Sequence, residues 1–294
     1  MKLHSNMSSE IKNIMTFDIE EWYHSNLDGN DPRLWDGYES RVVEPTFRFV
    51  QHLNETGNTG TFFILGKVAE RFPEMVKAIH GSGHEIASHS HDHQLVYDQT
   101  REEFAADLEK SLQVLEEITD EKVFGFRAPS WSISEKTPWV WEVMRANGLE
   151  YDASLYPFAT FLYGSNTSPR FHHTITVDGF DKIHEVPPSV VEIFNKRIPF
   201  CGGFFLRVLP YSFIKWSINR INKKEGQPAV MYLHPWEIDV NIPRLKLSAK
   251  EHFIKYANIA QAEWKLRRLL EEFRFVSVRE YLASVKEQKL KTVA

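Results

Sequence analysis

The sequence predicts an α/β fold, a layer or barrel of mostly parallel strands with helices packed outside it. Three observations carry this prediction. Short runs rich in β-branched and aromatic residues alternate with amphipathic stretches of helical spacing. Glycine and proline punctuate the changeovers. Acids, histidines and an arginine fall where the apolar runs end, the place where parallel α/β proteins gather their chemistry.

Taken in order, NIMTFDIE (13–20) is an apolar run closing in acids, and TGTFFILG (59–66) is β-branched, aromatic and closed by glycine, so both read as buried strands. Between them PTFRFVQHLNETG (45–57) has helical spacing and a glycine stop. The alternation continues with KVAERFPEMVKAIHGSG as helix, HEIASH as strand, REEFAADLEKSLQVLEEITD as a strongly periodic helix and KVFGFRAP as strand. TPWVWEVMRANG is a helix with Pro138 near its start and Gly148 past its end, and LEYDAS is a short strand. From 156 to 227 the pattern loosens into turn formers, so this stretch is expected to be a loop-rich insertion that shapes substrate choice. Its PFCGGFF core has paired glycines that permit a close backbone approach to a ligand. Regularity returns with the strand PAVMYLHPWEI, a long helix from 248 to about 273, and FRFVSVREYL.

Composition narrows the classes. The 294 residues, 42% hydrophobic and 26% charged, suit one domain spanning 1–294. A net charge of -5 without a basic run argues against a nucleic-acid partner. The first residues lack the basic-then-apolar pattern of a secretory signal, and the single cysteine, Cys201, suits a reducing compartment, so the expected location is cytoplasmic. Residues 206–224, LRVLPYSFIKWSINRINKK, mix apolar and basic positions and fit either a packed helix or a peripheral membrane contact.

In HEIASHSHDHQLVY the strand gives way to polar residues near Ser90, so His89 and His93 converge and His91 turns outward. Two imidazoles on one face suit a divalent transition metal, which needs a further ligand, often a carboxylate. Asp18 and Glu20 share a face by strand parity; Glu21 stands beside them. Arg127 and His234 sit at two further strand ends.

The ordered set TFDIE, SHSHDH, FRAPSW, DASLYP and YLHPWE, spanning residues 15–239, resembles the five motifs of the polysaccharide deacetylases, the NodB-homology carbohydrate esterases. It is most similar to the cytoplasmic branch associated with exopolysaccharide and lipopolysaccharide synthesis. The resemblance implies a distorted (β/α)7 barrel and hydrolysis of an N-acetyl group from an amino sugar by metal-activated water. It implies Asp18 as general base, Glu20, His89 and His93 as metal ligands, Arg127 as the residue that orients the base, His234 as general acid and Asp152 as the aspartate that tunes that acid. The usual motif has two adjacent aspartates where this chain has Asp18, Ile19 and Glu20, which leaves Glu20 and Glu21 both open as the carboxylate ligand. Trp22, Tyr23, Pro129, Trp131, Tyr156 and Trp236 flank the motifs and are candidates to line the sugar or acetyl site, with core packing as the alternative.

The implied cofactor is one divalent ion, zinc first, with cobalt or nickel as alternatives. The implied partner is an N-acetylated sugar, oligosaccharide, or lipid- or nucleotide-linked glycan precursor. Hydrolases of small cyclic amides of the allantoinase type share the barrel and motifs, and a non-catalytic carbohydrate-binding relative would keep the groove, so the fold alone does not decide the substrate.

Overall fold

The computed structural model describes residues 11–24, 32–134, 136–160 and 164–293. Strand β1 (Asn13–Ile19) is buried along its whole length, as its unbroken apolar run requires of a strand covered on both faces. Then come α1 (Val43–Glu55), β2 (Thr61–Ile64), α2 (Gly66–Arg71), α3 (Pro73–Gly81), β3 (Glu85–Ser88), α4 (Arg101–Thr119), β4 (Gly125–Phe126), α5 (Val140–Ala146) and β5 (Tyr151–Asp152). The second half runs β6 (His173–Ile175), β7 (Ile183–Glu185), β8 (Val190–Ile193), β9 (Lys196–Pro199), α6 (Gly203–Val208), α7 (Tyr211–Arg220), β10 (Val230–Leu233), α8 (Ala249–Tyr256), α9 (Ile259–Glu272), β11 (Phe275–Val276) and α10 (Val278–Val293).

Hydrogen-bonded neighbours follow the order β10-β1-β2-β3-β4-β5-β7-β6, with β11 also against β1. All pairs from β10 to β7 are parallel, so seven parallel strands curl into the half-barrel; only the edge strand β6 runs antiparallel. Strands β8 and β9 form a separate hairpin. Between sheet and helices, the ring of Phe17 stacks on Phe49 of α1 at 4.4 Å and on Phe62 of β2 at 4.8 Å. Full burial of such a ring contributes about 2–3 kcal/mol. This core holds the carboxyl ends of β1, β3, β4 and β10 at fixed spacing.

Three stretches differ from the sequence reading. The helix expected over 67–83 is two helices, because Pro73 crowds the preceding residue and Phe72 leaves the helical region (φ -131°, ψ 57°). The helix expected from 248 to 273 breaks at Asn258, whose φ of 53° lies in the left-handed region that asparagine tolerates. The 156–227 stretch is more regular than its turn-rich sequence indicates: it supplies β7, which extends the parallel row, the edge strand β6, the β8–β9 hairpin, α6 and α7.

Candidate active site

Asp18 sits near the end of β1 and is 3% exposed. Arg127, fully buried just past β4, donates from Nη1 to Asp18 Oδ1 at 2.6 Å and to Thr16 Oγ1 at 2.9 Å, and from Nε to the Ala153 carbonyl at 3.1 Å. Its guanidinium is covered by the rings of Phe63 at 4.2 Å and Trp131 at 4.9 Å. A planar fork fixed on these sides can hold only one carboxylate geometry.

The chain leaves β3 after Ser88, and left-handed residues at Ser90 (φ 69°) and His93 (φ 57°) fold the loop back. The Asp107 carboxylate pins that loop, accepting from the backbone N–H of His91 at 2.7 Å and of Asp92 at 3.0 Å. His93 Nε2 therefore lies 2.6 Å from Glu20 Oε2, with His89 Nε2 at 3.6 Å from the same oxygen. His89 Nδ1 donates to the Arg127 carbonyl at 2.8 Å, which fixes the tautomer and leaves Nε2 free as a donor to a metal. One ligand atom from each of Glu20, His89 and His93 lies within 4.8 Å of the others, and all three residues are buried. Two imidazole nitrogens and one carboxylate oxygen are the donor set of an open catalytic zinc site. Burial works to raise the Glu20 pKa, but His93, His89 and His234 outweigh it and hold the group well below the usual carboxylate range.

Of the two glutamates, the geometry brings Glu20 to the histidines. Glu21 turns away, accepting from the Ser40 hydroxyl and from the Arg41 backbone N–H at 3.0 Å. His91 also leaves the cluster, but it is buried against Gly66 and Glu70 rather than facing solvent.

His234, at the end of β10, closes the constellation: its Nε2 lies 3.8 Å from Asp18 Oδ2 and 3.9 Å from Glu20 Oε1. Its Nδ1 lies 3.4 Å from Glu237 Oε2, and its backbone N–H donates to that oxygen at 3.1 Å. Burial alone would lower its pKa, but the charge and hydrogen bond of Glu237, followed by Glu20 and Asp18, push it up to about 9.

The structure does not bring Asp152 to His234. On β5 it faces outward, accepting from Trp141 Nε1 of α5 at 3.0 Å and from Ser154 Oγ, and it lies in register with Glu185 of β7. Burial, and then the Asp152 charge, raise the Glu185 pKa well above the ordinary value. The carboxylate beside His234 is Glu237, which the sequence reading missed although it closes the quoted YLHPWE; a short turn beginning at Pro235 brings positions three apart together. His24 packs beside the cluster, its ring stacked on His93 at 5.4 Å.

Of the flanking residues, Trp236 stacks on the His234 ring at 5.3 Å and is only partly buried. Trp131 and Tyr156 pack with Tyr232 behind Arg127, and Pro129 is buried. Trp22 and Tyr23 belong to a satellite core with Ile242, Tyr256 and Ile259, so their rings are packed rather than offered to solvent. Buried Lys255 donates to the Trp22 carbonyl at 2.6 Å, and its desolvated ammonium is lowered to about 8.

Fold and site together define a parallel α/β half-barrel that carries a His-His-Glu cluster between an arginine-held aspartate and a glutamate-held histidine. Residues 35–151 match the polysaccharide deacetylase family model, a stretch that includes His89, His93 and Arg127, and residues 153–283, with His234 and Glu237, match a domain of unknown function, DUF3473. The chain is 32% identical over 95 residues to a peptidoglycan deacetylase of Helicobacter pylori, covering 32% of this chain and 31% of that protein. It is 24% identical over 160 residues to a peptidoglycan-N-acetylglucosamine deacetylase of Bacillus cereus, covering 48% and 58%. The matched stretches thus span about a third to under two thirds of those relatives. A Mycobacterium smegmatis structure provisionally described as a polysaccharide deacetylase superposes with a TM-score of 0.62 at 20% identity, covering 94% of this chain and 90% of that one, which places the fold. The polysaccharide deacetylase model thus covers less than half of this chain, and the two curated relatives are deacetylases.

Proposed function

We propose that the protein is a divalent-metal-dependent carbohydrate de-N-acetylase that removes acetyl groups from an amino sugar in a surface-polysaccharide or glycan precursor. The observation that carries the reading is the meeting of Glu20, His89 and His93 with Asp18 on one side and His234 on the other. Glu20, His89 and His93 would hold the ion, zinc by its donor set, and when bound it would polarise an amide carbonyl and acidify a water. Asp18 takes the water's proton on Oδ2, because Arg127 occupies Oδ1 and fixes the plane of the carboxylate. His234 delivers a proton from Nε2 to the leaving amine, and Glu237 holds the ring from its Nδ1 side. Trp236, stacked beside His234 and partly exposed, is placed to meet a sugar face. A lone buried Cys201 suits action in the cytoplasm, on a lipid- or nucleotide-linked precursor.

The test is acetate release from chito-oligosaccharides, peptidoglycan fragments and lipid-linked N-acetylated sugars, using stripped protein restored with zinc, cobalt or nickel. Asp18→Asn is expected to lower kcat by roughly 10²–10⁴-fold while retaining metal, and His89→Ala to lose both. Metal bound through His89 with no acetate from any glycan would overturn the reading in favour of a small cyclic-amide hydrolase or a binding module.

A further inference from the structure

The β8–β9 hairpin closes on Phe194 and Asn195, both with positive φ (49° and 60°), between the paired Ile193 and Lys196. Such a turn favours asparagine, aspartate or glycine. Asn195 fits that preference. Phe194 is a bulky residue held in the left-handed region, and at 96% exposed its ring gains no packing within the chain. Asparagine or glycine would make the better turn, so the ring calls for a partner outside it.

Helix α7 lies alongside. Arg220 donates from Nε to the Glu192 carbonyl at 3.2 Å, and its guanidinium lies 5.7 Å over the Trp216 ring, which ties the helix to the hairpin two residues from Phe194. Trp216 is 43% exposed and stacks on Phe213. Phe213, Trp216 and Arg220 follow one face of the helix, while Ile214, Ser217 and Ile218 are buried on the other. Lys196, Lys223 and Lys224 are exposed around this patch. The nearby acids are already engaged: Glu192 and Glu225 both pair with Arg170, at 3.9 Å and 2.8 Å. A protein of net charge -5 thus presents protruding aromatics on a hairpin and helix that also carry exposed lysines, for which no ion pair is found among the described residues.

We propose that this patch docks the protein on an anionic lipid bilayer, with Phe194 and Trp216 entering the interfacial layer and Lys196, Lys223 and Lys224 meeting the headgroup phosphates. A second copy fits less well, because a two-fold contact through the patch would bring its lysines against one another. Lysine is also depleted at the centre of protein interfaces. The inference stands independently of the deacetylase reading.

The test is flotation of the full chain with vesicles of phosphatidylcholine alone or mixed with phosphatidylglycerol, at low and high salt. The protein is expected to float with the anionic vesicles at low salt and to be released by high salt. Phe194→Asn combined with Trp216→Ala, and separately Lys223→Glu with Lys224→Glu, should each lower partitioning by about tenfold or more. Phe194→Asn suits the turn, so an unchanged melting temperature and an unchanged circular dichroism spectrum would show that the fold is intact. Equal or absent flotation on both vesicles, or variants that float like the parent, would overturn the proposal. So would a dimer in sedimentation that Phe194→Asn dissolves, since it would assign the patch to a second copy.

Discussion

At the residue scale, the pairing of Glu237 with His234 carries the most direct test. His234 has a pKa raised to about 9, so the protonated ring that can deliver a proton is present below that pH and lost as pH rises through it. Glu237→Gln removes the largest influence that raises the value and leaves burial, which lowers it. The alkaline limb of the kcat profile should then move down toward the ordinary histidine value of about 6.5. Activity at pH 8 should fall steeply while activity near pH 6 changes little. A loss equal at all pH values would mean that Glu237 only supports the fold. Strand parity made Asp18 and Glu20 legible together, and the change from strand to polar loop made His89 and His93 legible as a pair. The same parity went unused at Asp152, where it turns the side chain outward to Trp141 of α5. Parity put Glu20 rather than Glu21 on the face of Asp18, but β1 ends at Ile19, so the ranking rests as well on where Ser40 and Arg41 lie in space.

At the scale of elements, the long periodic helices and the buried strands β1, β2 and β10 could be read directly, because each carries its pattern within one short window. β6 and β7 have three residues each, and their conformation comes from register with neighbours rather than from any alternation of their own. That is why 156–227 read as loop. The glycine pair in PFCGGFF was expected to admit a ligand, and the structure assigns it to the site's support. A Cβ on Gly203 would fall on the Glu237 carboxylate, and one on Gly202 (φ 89°) on the Tyr232 ring. Gly203→Ala should therefore destabilise the fold by about 1–3 kcal/mol in urea unfolding, since the Glu237 side chain is buried and has little room to shift. Gly81→Ala, at the end of α3 with open space around it, should be neutral or slightly stabilising. Equal stability of the two variants would mean that Glu237 repacks freely, and the argument for its fixed position would fail.

At the scale of the whole molecule, the half-barrel gathers donors from separate strand ends, and that predicts how the protein answers to metal. Glu20 follows β1, and His89 and His93 follow β3, two strands away in the sheet order. An ion that binds the folded cluster but not the open chain stabilises the native state by mass action, about 4 kcal/mol at a free concentration a thousandfold above Kd. At about 2.1 cal/mol/K of unfolding entropy per residue, that corresponds to a Tm rise of roughly 6–7 °C for a chain of 294 residues. Zinc added to stripped protein should produce a rise of this order, and a chelator should reverse it. Glu20→Gln and His93→Ala should abolish the shift. Glu21→Gln should lower the starting Tm, because it unties Ser40 and Arg41, yet keep the zinc-dependent increment. The increment rather than the starting value is diagnostic, since removing any buried side chain can lower stability while only a ligand can remove the response to the ion. An increment that survives Glu20→Gln and disappears in Glu21→Gln would place the carboxylate ligand one residue along and require the turn at 20–24 to rearrange when metal binds.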